Sequence, residues 1–378
     1  MTERVLITGG AGFVGSHLAD ALVRQGHAVT LFDNLEAQVH GEAQHRPAYL
    51  DPSHRLELGD IRDLDAIQRV VRDADVIFHL AAMVGVGQSM YQVRRYTDVN
   101  AMGMATVLEA LATERAHLPV RKLIVASSMS IYGEGAYACP VHGAQAPRLR
   151  PTDQLRTGQW EVRCPTCGLD LQPVPTDEDK PLYPTSIYAI NKRDHEEMAL
   201  AFGYAYDLPA VALRFFNIYG SRQALTNPYT GVAAIFSGRM LARARPLIYE
   251  DGEQLRDFVH VSDIVQACCL AMTQSAADYQ VLNVGTGRPI SVRQVAEVLG
   301  TELGWTGGVE ITGKFRAGDV RHCFADTRRI EQLLGYTPGV RFEAGVHELV
   351  EWVASQQAGA SQLTAEANAQ LAAFGLVR

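Results

Sequence analysis

The feature that most constrains the fold of this chain is an apolar run near its start that leads at once into closely spaced glycines. The segment reads Val5-Leu-Ile-Thr-Gly-Gly-Ala-Gly-Phe-Val-Gly15; Gly10, Gly12 and Gly15 fit the pattern G-x-G-x-x-G, and Gly9, Gly12 and Gly15 fit a wider one. Glycines at this spacing permit a tight turn and let backbone N–H groups approach a pyrophosphate at the start of a helix. The segment therefore predicts a strand, a phosphate-binding turn and a helix.

An acidic residue stands where a dinucleotide site requires one. Asp33 ends the second apolar run, 18 residues after Gly15. A carboxylate there accepts hydrogen bonds from the adenosine ribose and repels a 2′-phosphate, which favours NAD over NADP. Asp60 follows the third run, where it is placed to hold the adenine amino group, and small residues after the fourth run let the dinucleotide pass close to the backbone. The predicted cofactor contacts are Gly9, Gly12, Phe13, Val14, Gly15, Asp33, Asn34, Asp60, Ile61, Leu80, Ala81 and Ala82.

Short apolar runs alternate with amphipathic stretches through the first half of the chain. Strands are predicted at residues 5–7, 28–32, 76–79, 123–126 and 210–214, and helices at 16–25, 64–71 and 100–113. This alternation is typical of an α/β fold with a Rossmann-type, doubly wound parallel sheet. We expect an NAD-binding domain at 1–214 and a smaller C-terminal α/β substrate domain at 215–378, with segments that return to the first. Residues 342–374 are predicted to be helical, with a break at Gly359.

The composition excludes two other classes of protein. The chain has 34 basic and 42 acidic residues, a net charge of -8, so it lacks the basic excess of a nucleic-acid binder. The sequence contains no run of about 18 apolar residues, so it predicts no membrane span. No signal peptide is recognisable at the N-terminus. We expect a cytoplasmic protein.

Three residues have the chemistry of a proton-transfer site. Tyr188 and Lys192 are four residues apart, which places both on one face of a helix. A neighbouring ammonium and a cationic nicotinamide ring are both expected to lower the pKa of the tyrosine, as a general base requires. Ser128 ends the predicted fifth strand, where its hydroxyl would bind the oxygen that Tyr188 deprotonates.

These residues stand among further motifs that occur in a fixed order. The motifs are residues 8–15, Asp33-Asn34, Asp60, His79-Leu-Ala-Ala82, Asn100, Ser128, Tyr188 with Lys192, residues 214–220, residues 256–260, residues 283–287 and residues 316–319. Together they resemble the extended short-chain dehydrogenases/reductases that modify sugar nucleotides, a family of epimerases, 4,6-dehydratases and decarboxylases. The resemblance covers nearly the whole chain.

The resemblance implies ligands, partners and further site residues. It implies a tightly bound NAD, a nucleoside-diphosphate sugar of the dTDP or UDP type, and a homodimer. Asn100, Phe215, Tyr188 and Lys192 would also contact NAD. The implied substrate-binding residues are Ser130, Asn217, Arg256, Arg316 and Asp319, of which Asn217 would bind the diphosphate region and the two arginines would clamp its oxygens.

The residues after Ser128 favour one reaction within the family. Dehydratases of this family carry an Asp-Glu pair there and decarboxylases a Glu, whereas this chain has Met129 and Ser130. The resemblance therefore implies a 4-epimerase, in which hydride leaves sugar C4 and returns to its other face. Residues 223–231, 249–252 and 321–326 resemble bacterial dTDP-L-rhamnose 4-epimerases, and Val84 replaces a lysine that UDP-galactose epimerases tend to have.

Other functions remain open at this point. A sugar-nucleotide 4-ketoreductase would use the same serine, tyrosine and lysine, although Asp33 disfavours NADPH. A dehydratase or decarboxylase lacks its carboxylates, and a non-catalytic NAD sensor would not need the complete Ser128, Tyr188 and Lys192 set.

A cysteine-rich insert at residues 135–180 separates Ser128 from Tyr188. It contains Cys139-Pro-Val-His-Gly143 and Cys164-Pro-Thr-Cys-Gly168, two turns with the ligand types and paired spacing of a structural zinc site. We predict that Cys139, His142, Cys164 and Cys167 bind zinc and thereby order the insert, since it has few residues that form a core. Free thiols are the alternative. Its place in the chain predicts a position near the pocket mouth, as a lid, a specificity element or a subunit contact.

Overall fold

A computed structural model describes residues 2–41, 44–113, 115–225, 231–356 and 370–377. In chain order the strands are β1 Arg4–Thr8, β2 Ala28–Asp33, β3 Arg55–Leu58, β4 Val76–His79, β5 Lys122–Ser128, β6 Ala136–Cys139, β7 Gly143–Gln145, β8 Gln172–Val174, β9 Ala210–Phe215, β10 Asn217–Tyr219, β11 Leu247–Ile248, β12 Leu255–His260, β13 Val281–Val284, β14 Pro289–Ser291, β15 Glu310–Ile311 and β16 His322–Cys323.

The α-helices lie mainly between these strands. They are α1 Phe13–Arg24, α2 Ala37–His40, α3 Leu64–Val71, α4 Val86–Ser89, α5 Val93–Thr97, α6 Gly103–Thr113, α7 Thr152–Arg156, α8 Ile187–Ala205, α9 Val232–Leu241, α10 Val261–Thr273, α11 Val292–Glu302, α12 Arg328–Leu334 and α13 Phe342–Ser355. None of these helices is both long enough and apolar enough to cross a membrane.

Seven parallel strands form the central sheet, in the order β13-β9-β5-β4-β1-β2-β3. Strands β2 and β3 lie on one side of β1, and β4, β5, β9 and β13 follow on its other side. The carboxyl ends of β1 and β4 therefore border the crevice where a doubly wound sheet binds its ligand. The predicted Rossmann-type sheet is confirmed, and each of the five predicted strands is present.

Helices cover both faces of this sheet. One apolar cluster packs α1 and α10 against β1, β4, β5, β9 and β13, and the other packs α3, α6 and α8 against the opposite face. The strands β4 and β9 are buried along their whole length. This explains why they read as continuous apolar runs, as strands of a sheet covered on both faces do.

The residues beyond β9 build smaller sheets and also complete the large one. Strands β10, β12, β14 and β16 form a mixed sheet, and a third apolar cluster joins α9, α11 and α13 beside it. Strand β13 leaves this region and pairs with β9 as the last strand of the central sheet. The predicted helix at 342–374 is present as α13 up to Ser355, while residues 357–369 and the predicted break at Gly359 lie outside the described residues.

The segment between Ser128 and Tyr188 contains a small sheet of its own. Strand β6 pairs antiparallel with β7 on one side and with β8 on the other. The five buried residues of its apolar cluster are Tyr137, Cys139, Val162, Cys164 and Leu171. This segment lies against β16, since Gly135 donates a backbone hydrogen bond to the carbonyl oxygen of His322 at 2.9 Å.

Candidate active site

The glycine-rich turn packs directly against the end of β4. Gly9 has φ +70, and a Cβ placed on it would lie 2.7 Å from the backbone nitrogen of Ala81. A Cβ on Gly15 would lie 2.4 Å from the carbonyl oxygen of Gly9. Any side chain at these two positions would therefore force the turn away from its neighbours, whereas a Cβ on Gly12 would meet only the carbonyl oxygen of Gly9, at 3.2 Å.

The N-terminus of α1 is open to a ligand. Among the described residues, no side chain caps this helix and no acidic residue stands in its first turn. In contrast, Asp63 caps α3 and Ser186 caps α8. The N–H groups of Phe13 and Val14 and the positive end of the helix dipole thus suit an anion, so the residues present fit the pyrophosphate of a dinucleotide.

Asp33 connects the end of β2 to the glycine-rich turn. Its carboxylate accepts hydrogen bonds from the backbone N–H groups of Ala11 at 3.0 Å and Leu35 at 2.9 Å. The Nε2 of His40 lies 3.9 Å from one of its oxygens, and the other oxygen, which accepts from Ala11, keeps an acceptor position for a ribose hydroxyl. The carboxylate therefore has a local role in the turn beside the predicted role in NAD selection.

The side chains predicted around the adenine have different contacts within the protein. Asp60 is paired with Arg62 at 2.6 Å, and the hydrogen bonds from this guanidinium lower the pKa of the Asp60 carboxyl. Asn34 donates a long hydrogen bond, 3.5 Å, to the same carboxylate. The side chain of Ile61 is buried in the apolar cluster under α3 and α6, so only its backbone is available to a nucleotide.

Asn100 holds the loop that follows β4. It lies in a single π-helical turn, Asp98–Met102, between α5 and α6, and its side chain is fully buried. Its carboxamide accepts from the Met83 N–H at 2.7 Å and donates to the Met83 carbonyl at 3.1 Å. Through this pair it fixes the backbone that carries Leu80, Ala81 and Ala82.

Tyr188 and Ser128 meet where β5 ends and α8 begins. Ser186 caps α8 by accepting from the N–H of Ala189, which places Tyr188 in the first turn of the helix. The side chain of Ser128 lies near the Tyr188 hydroxyl and acts to lower the pKa of Tyr188. Ser128 also accepts from Ser130, from its N–H at 3.2 Å and its hydroxyl at 2.9 Å. The three hydroxyl groups therefore lie together at the carboxyl end of the sheet.

Lys192 lies one turn further along α8. Its Nζ donates a hydrogen bond to the carbonyl oxygen of Ala126 at 2.8 Å, and burial lowers its pKa to about 7. Burial also raises the pKa of Tyr188 to about 12, against the smaller, opposite effect of the nearby Ser128 side chain. The expectation that Lys192 lowers the pKa of Tyr188 is therefore not met in the protein alone, because loss of water disfavours both charged forms.

Two histidines are buried beside Lys192; His79 belongs to a motif of the sequence but was given no role there, and His195 was not singled out. The rings of His79 and His195 are 5.2 Å apart, and burial, with a smaller effect of the Lys192 charge, lowers the pKa of His79 to about 3. The pKa of His195 is also lowered well below its ordinary value, first by burial. Both rings are hence neutral at pH 7 and add no positive charge beneath the lysine.

A buried ion pair supports the strand end from below. Arg214 on β9 forms a two-pronged pair with Glu196 on α8, and Glu196 also accepts from the hydroxyl of Ser127 at 2.9 Å. Arg214 donates in addition to the hydroxyl of Tyr132 at 2.8 Å. Sequence reasoning missed this pair because nothing in the spacing of residues 196 and 214 indicates contact.

Apart from Ser130, which follows β5, the predicted substrate residues lie on β10, β12 and the loop before β16. Phe215 is the strand partner of Ser128, and the side-chain oxygen of Asn217 is buried with no hydrogen-bond partner in the described part of the chain. Arg256 donates to the carbonyl oxygens of Arg321 at 2.9 Å and Val320 at 2.6 Å.

Two further predicted substrate residues lie on the same loop. Asp319 approaches Arg256 at 3.6 Å, and the guanidinium of Arg316 lies 4.3 Å from the centre of the Tyr249 ring. The Nε of Arg316 is buried and has no partner among the described residues. Buried polar atoms of this kind are suited to a ligand, because leaving them unpaired costs free energy.

The predicted metal ligands also lie together. The candidate ligand atoms of Cys139, His142, Cys164 and Cys167 are all within 4.8 Å of one another. The two cysteines that start the turns are buried, and the other two residues are exposed.

Comparisons with known proteins agree with this geometry. A sequence model of the NAD dependent epimerase/dehydratase family matches residues 5–154, and one of GDP-mannose 4,6 dehydratase matches residues 170–349. A dTDP-L-rhamnose 4-epimerase from Burkholderia thailandensis is 32% identical over 358 residues, covering 94% of this chain and 96% of the relative.

Solved structures resemble the chain over nearly its whole length. A UDP-glucose 4-epimerase from Thermotoga maritima with UDP-glucose has a TM-score of 0.76 and 30% identity, covering 93% of this chain and 99% of that one. A UDP-glucose 4-epimerase from Thermus thermophilus in complex with NAD has a TM-score of 0.73 and 27% identity, and the match covers 94% of this chain and 100% of that one.

Proposed function

The chain belongs to the NAD-dependent epimerase/dehydratase family and is an isomerase of the sugar-nucleotide epimerase kind, and we propose that it inverts C4 of a nucleoside-diphosphate hexose. The observation that carries this proposal is the meeting of Ser128 with Tyr188 at the carboxyl end of β5, with Lys192 one turn away. The open N-terminus of α1 provides the place for the dinucleotide in the same crevice.

Each residue of this set has a distinct part in the reaction. NAD, held by the glycine-rich turn and Asp33, supplies the hydride acceptor and donor when bound. Ser128 accepts from Ser130 and holds the sugar 4-hydroxyl against the tyrosine oxygen. Tyr188 takes the proton of that hydroxyl as the C4–H bond breaks, which leaves a 4-keto sugar, and returns the proton when C4 is reduced from its other face.

Lys192 keeps the tyrosine ready for proton transfer. Its pKa of about 7 lets it exist in both protonation states near neutral pH. A cationic ring beside Tyr188 opposes the effect of burial, so the phenolate becomes accessible only in the complete complex. This accounts for a tyrosine that is protonated in the protein alone.

We propose dTDP-L-rhamnose as the first substrate to examine. The support is the 32% identity to the Burkholderia enzyme and the resemblance at residues 249–252 and 321–326. Residues 226–230 of the third resembling stretch lie outside the described part of the chain. Arg256 and Arg316 would bind the diphosphate, with Asn217 and Asp319 beside them.

The remaining features complete the proposal. Residues 1–214 would bind NAD and residues 215–378 the sugar nucleotide, although β13 lies in the central sheet. A structural zinc ion at Cys139, His142, Cys164 and Cys167 would take no part in the chemistry, because four protein ligands close its coordination shell. The homodimer and the cytoplasmic location stay predictions.

The experiment is a panel of sugar nucleotides incubated with purified protein and no added cofactor. The panel contains dTDP-L-rhamnose, UDP-glucose and UDP-glucuronate, and proton NMR follows the configuration at C4. Many turnovers of one of them are expected, since an epimerase regenerates its NAD in every cycle. A ketoreductase would stop after one equivalent, and a dehydratase would accumulate a 4-keto-6-deoxy sugar; either result would replace the proposal.

A further inference from the structure

Four side chains of the insert surround a point at which their ligand atoms converge. The Nδ1 of His142 lies 3.5 Å from the Sγ of Cys139 and 3.5 Å from the Sγ of Cys164. The Sγ atoms of Cys139 and Cys167 are 3.7 Å apart. The two sulfurs are too distant for a disulfide, whose bond is about 2.05 Å long.

These separations match the edges of a zinc tetrahedron. With Zn–S bonds of about 2.3 Å and Zn–N bonds of about 2.05 Å, tetrahedral angles give sulfur–sulfur edges of about 3.8 Å and sulfur–nitrogen edges of about 3.6 Å. The observed sulfur–sulfur distance is 3.7 Å and both sulfur–nitrogen distances are 3.5 Å. Three sulfurs and one imidazole form a complete structural zinc site with no position left for water.

The two turns present their cysteines in the same way. The backbone N–H groups of Val141 and His142 lie near the sulfur of Cys139, and those of Thr166 and Cys167 lie near the sulfur of Cys164. Both turns therefore place N–H groups beside the sulfur of their first cysteine. N–H groups in such positions orient metal ligands.

The insert has little else to hold its turns together. Its apolar cluster contains five residues, and two of them are the ligands Cys139 and Cys164. The three-stranded sheet that carries these turns has strands of only three or four residues. A metal would supply the order that a core of this size does not.

The inner side of the insert is fastened to the strand and loop around residue 321. Glu134, the residue just before the insert, accepts from the backbone N–H of Arg321 at 2.9 Å. Glu161 accepts from the guanidinium of Arg321 at 2.6 Å and contacts the Nε2 of His322 at 3.0 Å. The side chain of Arg321 is 1% exposed, whereas that of Glu161 is 37% exposed, so the Glu161 contacts lie at the edge of the buried region.

A second buried arginine repeats the connection. Arg150 forms a two-pronged pair with Glu250, both bonds 2.9 Å long, and donates to the carbonyl oxygen of Asp319 at 3.2 Å. Arg321 binds the same Glu250 at 3.1 Å. The insert and the C-terminal loop are thus one buried network of charges.

The loop held in this way in turn holds Arg256. Two carbonyl oxygens of the loop, those of Val320 and Arg321, accept from the Arg256 guanidinium at 2.6 and 2.9 Å. We infer that Cys139, His142, Cys164 and Cys167 bind a structural zinc ion, and that the zinc-tied insert braces the loop that positions Arg256 for the substrate diphosphate. The bracing half rests on the proposed function, and the metal half does not.

The metal half is tested on the purified full chain. Elemental analysis is expected to find about one zinc per chain, and the Cys164→Ser/Cys167→Ser variant is expected to lose it. Cys269→Ser, a change at a cysteine on α10 far from the insert, serves as the control and keeps its zinc. If the double variant does not fold, a chelator is added to the wild-type chain, and faster proteolysis within residues 135–180 is the expected result.

The bracing half is tested with Glu161→Gln, which leaves the metal ligands intact. Titration calorimetry with dTDP and UDP measures the diphosphate site without any need for turnover. The variant is expected to keep zinc and NAD but to bind the diphosphate about tenfold more weakly, because the insert loses its charged bond to the Arg321 guanidinium, which keeps Glu250 and Asp251 as partners. Glu197→Gln, which removes an exposed partner of Arg193 on α8, is the matched control with unchanged affinity.

The outcomes separate the two halves and the proposed function. A chain that contains no zinc and takes up none from added Zn²⁺ overturns the metal site. Unchanged diphosphate affinity in Glu161→Gln, with zinc present, overturns the brace. A wild-type chain that holds zinc and binds dTDP but epimerises no sugar leaves this inference standing and contradicts the proposed function alone.

Discussion

Lys192 donates a hydrogen bond from Nζ to the carbonyl oxygen of Ala126 at 2.8 Å, which joins α8 to β5 two residues before Ser128. This contact sets the distance between the strand that carries the serine and the helix that carries Tyr188. The lysine is thus a structural connection as well as a titrating group. Its side chain is buried, so the bond is not exchanged with water.

Replacing the tyrosine hydroxyl tests its role in proton transfer. Tyr188→Phe is expected to lower kcat for epimerisation by a factor of about 10² to 10⁴, because the sugar hydroxyl then has no proton acceptor. The NAD content of the purified chain should not change. Tyr204→Phe, at an exposed tyrosine on the same helix, is the control with wild-type rates. A Tyr188→Phe enzyme within tenfold of the wild type would exclude this residue as the base.

The pKa of Lys192 predicts a pH-dependent difference in stability. In the folded chain this pKa is about 7, below the ordinary value of 10.5. Between these values the unfolded chain binds the additional proton, so wild-type stability rises with pH across this window. Lys192→Met lacks the group, and its stability relative to the wild type should therefore fall from pH 7 to pH 9. Urea unfolding of nucleotide-free protein measures this; a constant difference would contradict the buried, neutral lysine.

A methyl group at the N-terminus of α1 should weaken NAD binding more than it weakens the fold. The Cβ of Gly12→Ala would meet only the carbonyl oxygen of Gly9, at 3.2 Å, and the backbone there has φ -74, which alanine adopts. We expect the Kd for NAD to rise about tenfold or more while Tm stays near the wild type. Gly300→Ala on α11 is the control: its Cβ would have contacts no closer than 3.8 Å, so it should weaken neither NAD binding nor the fold. If Gly12→Ala binds NAD as tightly as the wild type, the prediction that the pyrophosphate binds at this turn is contradicted.

The buried pair of Arg214 and Glu196 predicts a large loss of stability when one member is removed. Arg214→Met should lower the free energy of unfolding by about 3–5 kcal/mol, because it leaves a buried carboxylate without its charge partner. The double variant with Glu196→Met should recover a large part of this loss. Arg193→Met, which breaks the exposed pair with Glu197 on the same helix, should cost less than about 1 kcal/mol. Equal losses for the two arginines would contradict the buried pair.

The arrangement of the candidate nucleotide site was predictable from the sequence because its parts are local or end a strand. The glycines of residues 9–15 define a turn by themselves, and Asp33 is placed by the end of β2. The convergence of the four candidate metal ligands was predictable for the same reason, because each cysteine turn fixes two ligands within four residues. What brings the turns together is the pairing of β6 with β7 and β8.

Contacts between distant residues could not be predicted in this way. Arg150 and Glu250 are 100 residues apart, and no periodicity indicates that a loop of the insert meets the loop before β12. The pKa of Tyr188 in the protein alone depends on burial, which the Tyr-x-x-x-Lys spacing does not reveal, and the predicted lowering beside a bound nicotinamide ring stays a prediction. Segments of the C-terminal part were expected to return to the first domain, but the short apolar run of β13 does not indicate that this strand is the one that crosses.

The most direct test of the central claim uses a substrate with deuterium at C4 of the sugar. If the hydride leaves and returns at one carbon of a sugar that stays bound, the product should keep its deuterium at C4 with inverted configuration, in ordinary water and without added cofactor. Deuterium found in the solvent, on a released cofactor or at C6 would contradict the account.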